Sequence, residues 1–554
     1  MILLFLLVLV QYVFAAIIFD FSSTTNTPLT PESLINVENL GKIKGFIKTS
    51  SDLPNFRYYQ YKGIPYAQST PRFTISKAVL PWNGTFDGTN EGKVCPQVLG
   101  DVQYPGSISE NCLVLTVTTP EDPNNIQSLQ PVVVFIHGGM FNIGTSRTSF
   151  YDPELLVQEG VVVVQPNFRL GAFGWITDGK VIPCNLALKD VRLALQWVQS
   201  NIKSFGGDPS KVTIYGESAG STIVSTLWQS KRLSDLFHSV FMQSGTVINP
   251  WSVQKQPEQA FQIVLNGTRC RSIENNTLQQ IECLKSLHYT ELNVVNTIEL
   301  VVVDVDPNDP DAIVVENPLE QLKTGNFRKN APMLITQTSE EMFTFAAVLD
   351  TLRWKSNADL VPYGMMASDK NLVGSLIKSY YAGSEELWPV TPLPIYIRYG
   401  SDVLFNYPLR RYVELIQPKM PNAPVYVLQF SYASEMGRFN DKINKVGHSD
   451  DLIYTWKEED FTKEDQVKVT YPPETFVKRR QFNRMICNFV KFGNPTPGED
   501  PLLGNIIWPN VSNIDTFEYL DFNHKNTIKQ RPKDANYAFW SDLYKQHGAG
   551  SITL

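Results

Sequence analysis

The stretch Lys211–Gly220 constrains this chain more than any other. It reads Lys-Val-Thr-Ile-Tyr-Gly-Glu-Ser-Ala-Gly: an apolar, largely β-branched run, Val212–Tyr215, stops at Gly216-Glu217-Ser218-Ala219-Gly220, and the small residues Ser221–Thr226 follow. The pattern predicts a strand, a sharp turn and a helix, with Ser218 at the turn. Glycine on both sides lets the neighbouring strands and the new helix approach closely while Ser218 takes a strained backbone. The hydroxyl is then lifted to the top of the sheet, above a helix N-terminus whose free N–H groups suit a developing negative charge.

Other segments fit such a chain. Gly41–Ile47 and Phe56–Tyr66 read as early strands, with Gly63-Ile64-Pro65-Tyr66-Ala67 turning after the second. Pro131–Ile136 is unbroken apolar sequence running into His137-Gly138-Gly139-Met140-Phe141, and Val161–Val164 leads to Asn167-Phe168-Arg169-Leu170-Gly171. Continuous apolar runs of this length mark strands buried on both faces. Asn185–Phe205 carries apolar residues at 191, 194/195, 198, 202 and 205, a helical spacing, before Phe205-Gly206-Gly207-Asp208-Pro209 turns the chain into the Ser218 strand. Ser239–Met242, Met333–Ile335 and Val425–Phe430 are further expected strands, and Leu300–Ala331, rich in Asp, Asn and Pro, is expected to be a surface excursion. Strands alternating with helices predict an α/β fold with a large, mostly parallel central sheet and helices on both faces.

No linker, repeat or charge block divides the 554 residues, so residues 17–554 are expected to form a single domain. A net charge of −7 leaves no basic footprint for nucleic acid. Met1–Ala16 is nearly continuous apolar sequence ending in Phe14-Ala15-Ala16, too short to span a bilayer and suited to a secretory signal peptide cut after Ala15 or Ala16. With no second long apolar run, the chain is expected to be secreted without a membrane anchor. Cys95 and Cys112 bracket one polar loop and Cys270 and Cys283 another, both short enough to close, whereas Cys184 and Cys487 sit in apolar, helix-like surroundings as free buried thiols. Neither a Cys-x-x-Cys nor a His/Cys cluster points to a metal, and nothing calls for a cofactor. Asn83, Asn266, Asn275 and Asn510 begin Asn-x-Ser/Thr sequons, as in an exported glycoprotein.

A serine hydroxyl is a poor nucleophile until a base takes its proton, and the base needs a carboxylate to orient it. Of six histidines, His448 stands in the polar loop Val446-Gly447-His448-Ser449-Asp450-Asp451, well beyond the strand Val425–Phe430, where a base on the same sheet edge as Ser218 is expected. The acid is expected behind Met333–Ile335, in Ser339-Glu340-Glu341-Met342. His137-Gly138-Gly139-Met140 after a buried strand, together with Ala219 N–H, can hold an oxyanion.

These parts, in this order, resemble the type-B carboxylesterase/cholinesterase family of α/β-hydrolases from about Asn39 to Tyr544. Besides Gly216–Gly220, the resemblance rests on Gly63–Ala67, Ser109-Glu110-Asn111-Cys112-Leu113, Asn167–Gly171, Phe205–Pro209, Met242-Gln243-Ser244-Gly245 and Phe539-Trp540. It implies an α/β-hydrolase fold, Ser218 as nucleophile, Glu341 as acid with Glu340 as its rival, and His448 as base. It further implies Gly139, Met140 and Ala219 as oxyanion donors, Cys95–Cys112 and Cys270–Cys283 disulfides, a structural ion pair for Arg169 and a supporting hydrogen bond from Ser244. The implied activity is a serine carboxylesterase acting on small-molecule esters; the rival is a non-catalytic adhesion protein on the same fold, a kind that typically lacks a residue of the triad. Met140 stands where the family usually has a third glycine, and Glu340-Glu341-Met342 where it prefers Asp-Glu-Gly. The Cys95–Cys112 loop lacks the tryptophan with which cholinesterases hold choline, Tyr104 being its only aromatic, so a choline ester is not the expected substrate.

Overall fold

The computed structural model describes residues 31–548 apart from 99, 255, 275, 294–300, 346–353, 363, 385–386, 388–391, 435, 437–444 and 458–471. The expected leader Met1–Ala16 and the sequon residue Asn275 lie outside the described residues.

Thirteen strands form one sheet among the described residues. In chain order they are β1 (Glu32–Val37), β2 (Gly41–Thr49), β3 (Arg57–Pro65), β4 (Thr85–Asp87), β5 (Val114–Thr119), β6 (Gln130–Ile136), β7 (Val162–Pro166), β8 (Gly207–Glu217), β9 (Ser239–Gln243), β10 (Met333–Thr338), β11 (Val425–Phe430), β12 (Glu518–Phe522) and β13 (Thr527–Gln530). Across the sheet they run β1-β2-β3-β5-β7-β6-β8-β9-β10-β11-β12-β13, with β4 on β2. From β7 to β12 every neighbour is parallel. The β1-β2-β3-β5-β7 flank and the β12–β13 pair are antiparallel, while the short β4 pairs with β2 in parallel.

The parallel block is apolar throughout because both of its faces are covered. Along β6, Val132, Val134 and Ile136 enter one core and Val133 and Phe135 the other. Helices α1 (Leu186–Asn201), α2 (Ala219–Gln229), α3 (Tyr407–Ile416) and α5 (Asp534–His547) pack on the first face, and α4 (Pro473–Phe492) on the second. In α4, Phe482, Met485, Ile486, Phe489 and Val490 recur at helical spacing and are all buried. Each such side chain taken out of water contributes about 1.5–3 kcal/mol, so the packing energy is concentrated in the block that carries Ser218.

Every expected strand is a strand, with ends shifted by a few residues except in β8, which begins at Gly207. The expected helix is α1, extended by a 3-10 turn over Ile202–Phe205. One unforeseen strand matters: β5 lies between β3 and β7, and its alternating threonines, Thr116 and Thr118, mask an otherwise apolar, buried run. The excursion expected at Leu300–Ala331 needs correction. Its tip is exposed at Val305, but Val301, Ile313, Val314, Leu319, Leu322 and Phe327 join the first core. The Asn185 amide pairs with the backbone of Val302 like a neighbouring strand, donating to its carbonyl at 2.8 Å and accepting from its N–H at 3.0 Å. Cys95–Cys112 and Cys270–Cys283 are disulfide-bonded, and Cys184 and Cys487 are free and buried, Cys184 just ahead of α1 rather than in a helix. Asn83 and Asn266 are exposed and Asn510 is half-buried.

Candidate active site

The turns that leave the carboxyl ends of β6, β8, β10 and β11 meet at one edge of the parallel block, the edge at which such sheets build sites. Ser218 caps α2 with φ 56° and ψ −122°. Its N–H donates to the Gln243 carbonyl at 2.8 Å and its carbonyl accepts from Thr222 N–H at 3.0 Å, so strand and helix hold the strained residue from both sides. The flanking glycines are required by close approach: a Cβ at Gly216 would stand 2.2 Å from Gly220 O, and one at Gly220 2.0 Å from Ile136 O.

Ser218 Oγ lies 2.8 Å from His448 Nε2, and His448 Nδ1 lies 2.6 Å from Glu341 Oε2. The other Glu341 oxygen accepts from Ser244 Oγ at 2.6 Å and Thr338 N–H at 2.8 Å. Backbone contacts keep the imidazole in register: His448 N–H donates to Glu341 O at 2.9 Å, and Thr344 Oγ1 donates to His448 O at 2.7 Å. Phe345 and Phe405 flank the ring at centroid distances of 5.8 and 4.9 Å. Glu341 is fully buried, whereas Glu340 turns away to Ser339 and Lys445.

Three buried carboxylic groups surround His448. Besides Glu341, Glu217 Oε1 lies 3.4 Å from Nε2 and accepts from Ser449 Oγ at 2.6 Å, and Asp451 is fully buried close enough to act on His448 electrostatically. Burial by itself would disfavour the imidazolium, but the charge and hydrogen bond of Glu341, with Glu217 and Asp451 behind it, raise the His448 pKa to about 9. Burial and the nearby Glu341 charge push the Asp451 carboxyl up to about 8. Sequence reasoning passed over both Glu217 and Asp451. Their signal was adjacency, Glu217 preceding Ser218 and Asp451 closing the His448 loop.

The turn after β6 lies against the serine, since a Cβ at Gly138 would come within 3.0 Å of Ser218 Cβ. Gly139 has φ 106°, which glycine alone adopts freely, and Met140 follows at φ 53°. The Gly139 carbonyl accepts from the N–H groups of Asn142 and Ile143, both at 3.0 Å. Ala219, the first residue of α2, has a backbone N–H beside Ser218. Such a constellation can remove a serine proton, pass it to a leaving group and stabilise an oxyanion, which is acyl-transfer chemistry.

Other singled-out residues lie apart from this centre. Arg169 forms a buried two-point ion pair with Asp190, both contacts 2.7 Å. Tyr104 is buried against Phe150 and beneath the Arg147 guanidinium. His238 accepts from Val212 N–H, and His524 pairs with Glu474. Among the described residues, no group of three His, Cys, Asp or Glu side chains could hold a metal, and no helix is long and apolar enough to cross a membrane.

The model of the Carboxylesterase family matches residues 31–540. A carboxylic ester hydrolase of Bombus ignitus is 27% identical, with 91% of this chain and 93% of that protein covered. Venom carboxylesterase-6 of Apis mellifera is 29% identical with the same coverage, and a juvenile hormone esterase of Heliothis virescens is 27% identical over 85% of this chain and 86% of its own. The solved juvenile hormone esterase of Manduca sexta, with OTFP covalently attached, has the same fold at a TM-score of 0.81 and 24% identity, covering 93% of this chain and 100% of that one.

Proposed function

The chain belongs to the carboxylesterase family and is a carboxylic-ester hydrolase, and from that premise we propose that it works through an acyl-enzyme carried on Ser218. The observation that carries the reading is the unbroken relay from Ser218 Oγ through His448 to Glu341, at 2.8 and 2.6 Å. Ser218 attacks the ester carbonyl while His448 Nε2 takes its proton, and Glu341 steadies the imidazolium on the Nδ1 side. The N–H groups of Gly139, Met140 and Ala219 receive the oxyanion. His448 then protonates the departing alkoxide, and water activated by the same histidine releases the acid.

The substrate is a small carboxylic ester. A choline ester is disfavoured, because the Cys95–Cys112 loop has no tryptophan and its Tyr104 is turned into the protein. The alternative, a non-catalytic adhesion protein, is disfavoured because nucleophile, base and acid all stand within hydrogen-bond reach. The test compares the wild type with Ser218→Ala on p-nitrophenyl esters of graded acyl length, with and without an organophosphate. The expected result is a loss of about 10⁴-fold or more in kcat and stoichiometric inhibition through Ser218. Turnover surviving in the variant would sink the assignment.

Secretion is supported by the apolar leader, the sequons and the disulfides. The mature protein is therefore expected to begin at Ala16 or Ile17, and N-terminal sequencing that finds Met1 on the exported protein would refute this.

A further inference from the structure

His137, which the reaction above does not use, sits directly behind the turn that follows β6. Its side chain is buried and stacks on Phe168, with ring centroids 4.5 Å apart and planes 17° from parallel. Gly144 leaves room for the ring, since an added Cβ there would stand 2.3 Å from Nδ1. Nδ1 lies 2.8 Å from the Gly138 carbonyl, and Nε2 is buried without a hydrogen-bond partner. A carbonyl only accepts, so the proton is on Nδ1. Burial pushes the imidazole pKa down to about 4, which keeps this neutral tautomer through the working range of a serine esterase.

We infer that His137 is a positioning residue for the oxyanion hole: by holding the Gly138 carbonyl, its Nδ1–H aims the Gly139 N–H at the substrate's carbonyl oxygen. The reason is peptide planarity. In a trans peptide, C=O and N–H point in opposite directions, so fixing the Gly138 oxygen on the far side fixes the Gly139 N–H on the near side. The next peptide is held in the same way, its Gly139 oxygen tied back by Asn142 and Ile143 N–H, which aims the Met140 N–H. Glycine at 138 and 139 leaves these planes otherwise free to rotate, so a dedicated anchor is needed there. The inference rests on the serine-esterase reading above.

The test uses three variants measured beside wild type on one p-nitrophenyl ester. His137→Asn carries an amide N–H where Nδ1 stands, His137→Gln carries it where Nε2 stands, and His137→Phe keeps the ring stacked on Phe168 without a donor. Folding is checked by thermal unfolding. The expected result is that His137→Gln and His137→Phe lose about 10- to 100-fold in kcat with KM within about twofold, while His137→Asn recovers most of it. Affinity for a trifluoromethyl ketone, whose adduct carries the oxyanion, should fall in step with kcat/KM. Should His137→Phe fail to fold, the Asn/Gln contrast decides. Equal activity in Asn and Gln, whether both wild-type-like or both impaired, overturns the inference. A wild type inactive on every ester would instead overturn the esterase reading, so the two failures are distinguishable.

Discussion

At the residue scale, the decisive group is His448, the proposed base, which lies among buried carboxylic groups. Only its neutral form accepts the Ser218 proton, so kcat/KM on a neutral ester should rise with pH through its raised pKa. Glu341 is the largest contributor to that rise, through its charge and its hydrogen bond. Glu341→Gln removes the charge and keeps the shape. It should move the acid limb of the pH–kcat/KM profile to lower pH and reduce kcat by about 10³–10⁴. An unmoved limb would mean that Glu341 is not the partner. The family resemblance favoured Glu341 over its neighbour Glu340, although the two are adjacent and chemically alike. A one-residue step around the 3-10 turn Glu341–Phe345 sends one carboxylate inward and leaves the other at the rim.

At the scale of elements, the strand–turn–helix from β8 to α2 was legible in advance because its causes are local: an apolar run, two glycines and a stretch of small residues. Its tightness follows from the position of β6. Gly220→Ala would place a methyl 2.0 Å from Ile136 O, against backbone that cannot yield without shifting the strand. A loss of about 3 kcal/mol in stability, read as a lower urea midpoint, together with falling esterase activity, is expected. Gly498→Ala, where an added Cβ meets nothing within 4 Å, should be close to neutral and serves as the control. β5 was less legible, since its threonines earn their burial from neighbouring strands that no window of sequence contains.

For the whole molecule, distant segments are tied by buried polar contacts. Lys189 on α1 donates to Asp304 at 3.1 Å and to the Cys184 carbonyl at 2.5 Å, both side chains of the ion pair being nearly inaccessible. The second Asp304 oxygen accepts from the N–H groups of Ile313 and Val314. This clamp makes a part of the core out of a stretch whose composition reads as surface. Lys189→Met would leave a buried carboxylate without its cation and should cost about 3–5 kcal/mol, read as a lower Tm and denaturant midpoint. A neutral effect would mean that the clamp does not contribute to holding this stretch in the core.

The amino-acid order alone determined the α/β class, the parallel block, the Ser218 turn and the chain order of Ser218, Glu341 and His448, the proposed nucleophile, acid and base. Each of these is encoded by short-range patterns: apolar continuity where both faces of a strand are covered, glycine where backbones touch, and polar loops at strand ends. What tertiary structure alone decided is which groups meet. Ser218 and His448 are 230 residues apart in the chain, and His448 and Glu341 are 107 apart. The crowding of Glu217 and Asp451 around one imidazole, and the hold of His137 on a glycine turn, arise from distances of a few ångströms set by strand order and helix packing. No local pattern carries such distances, because the energy that fixes them is released only when the sheet is assembled and both of its faces are buried.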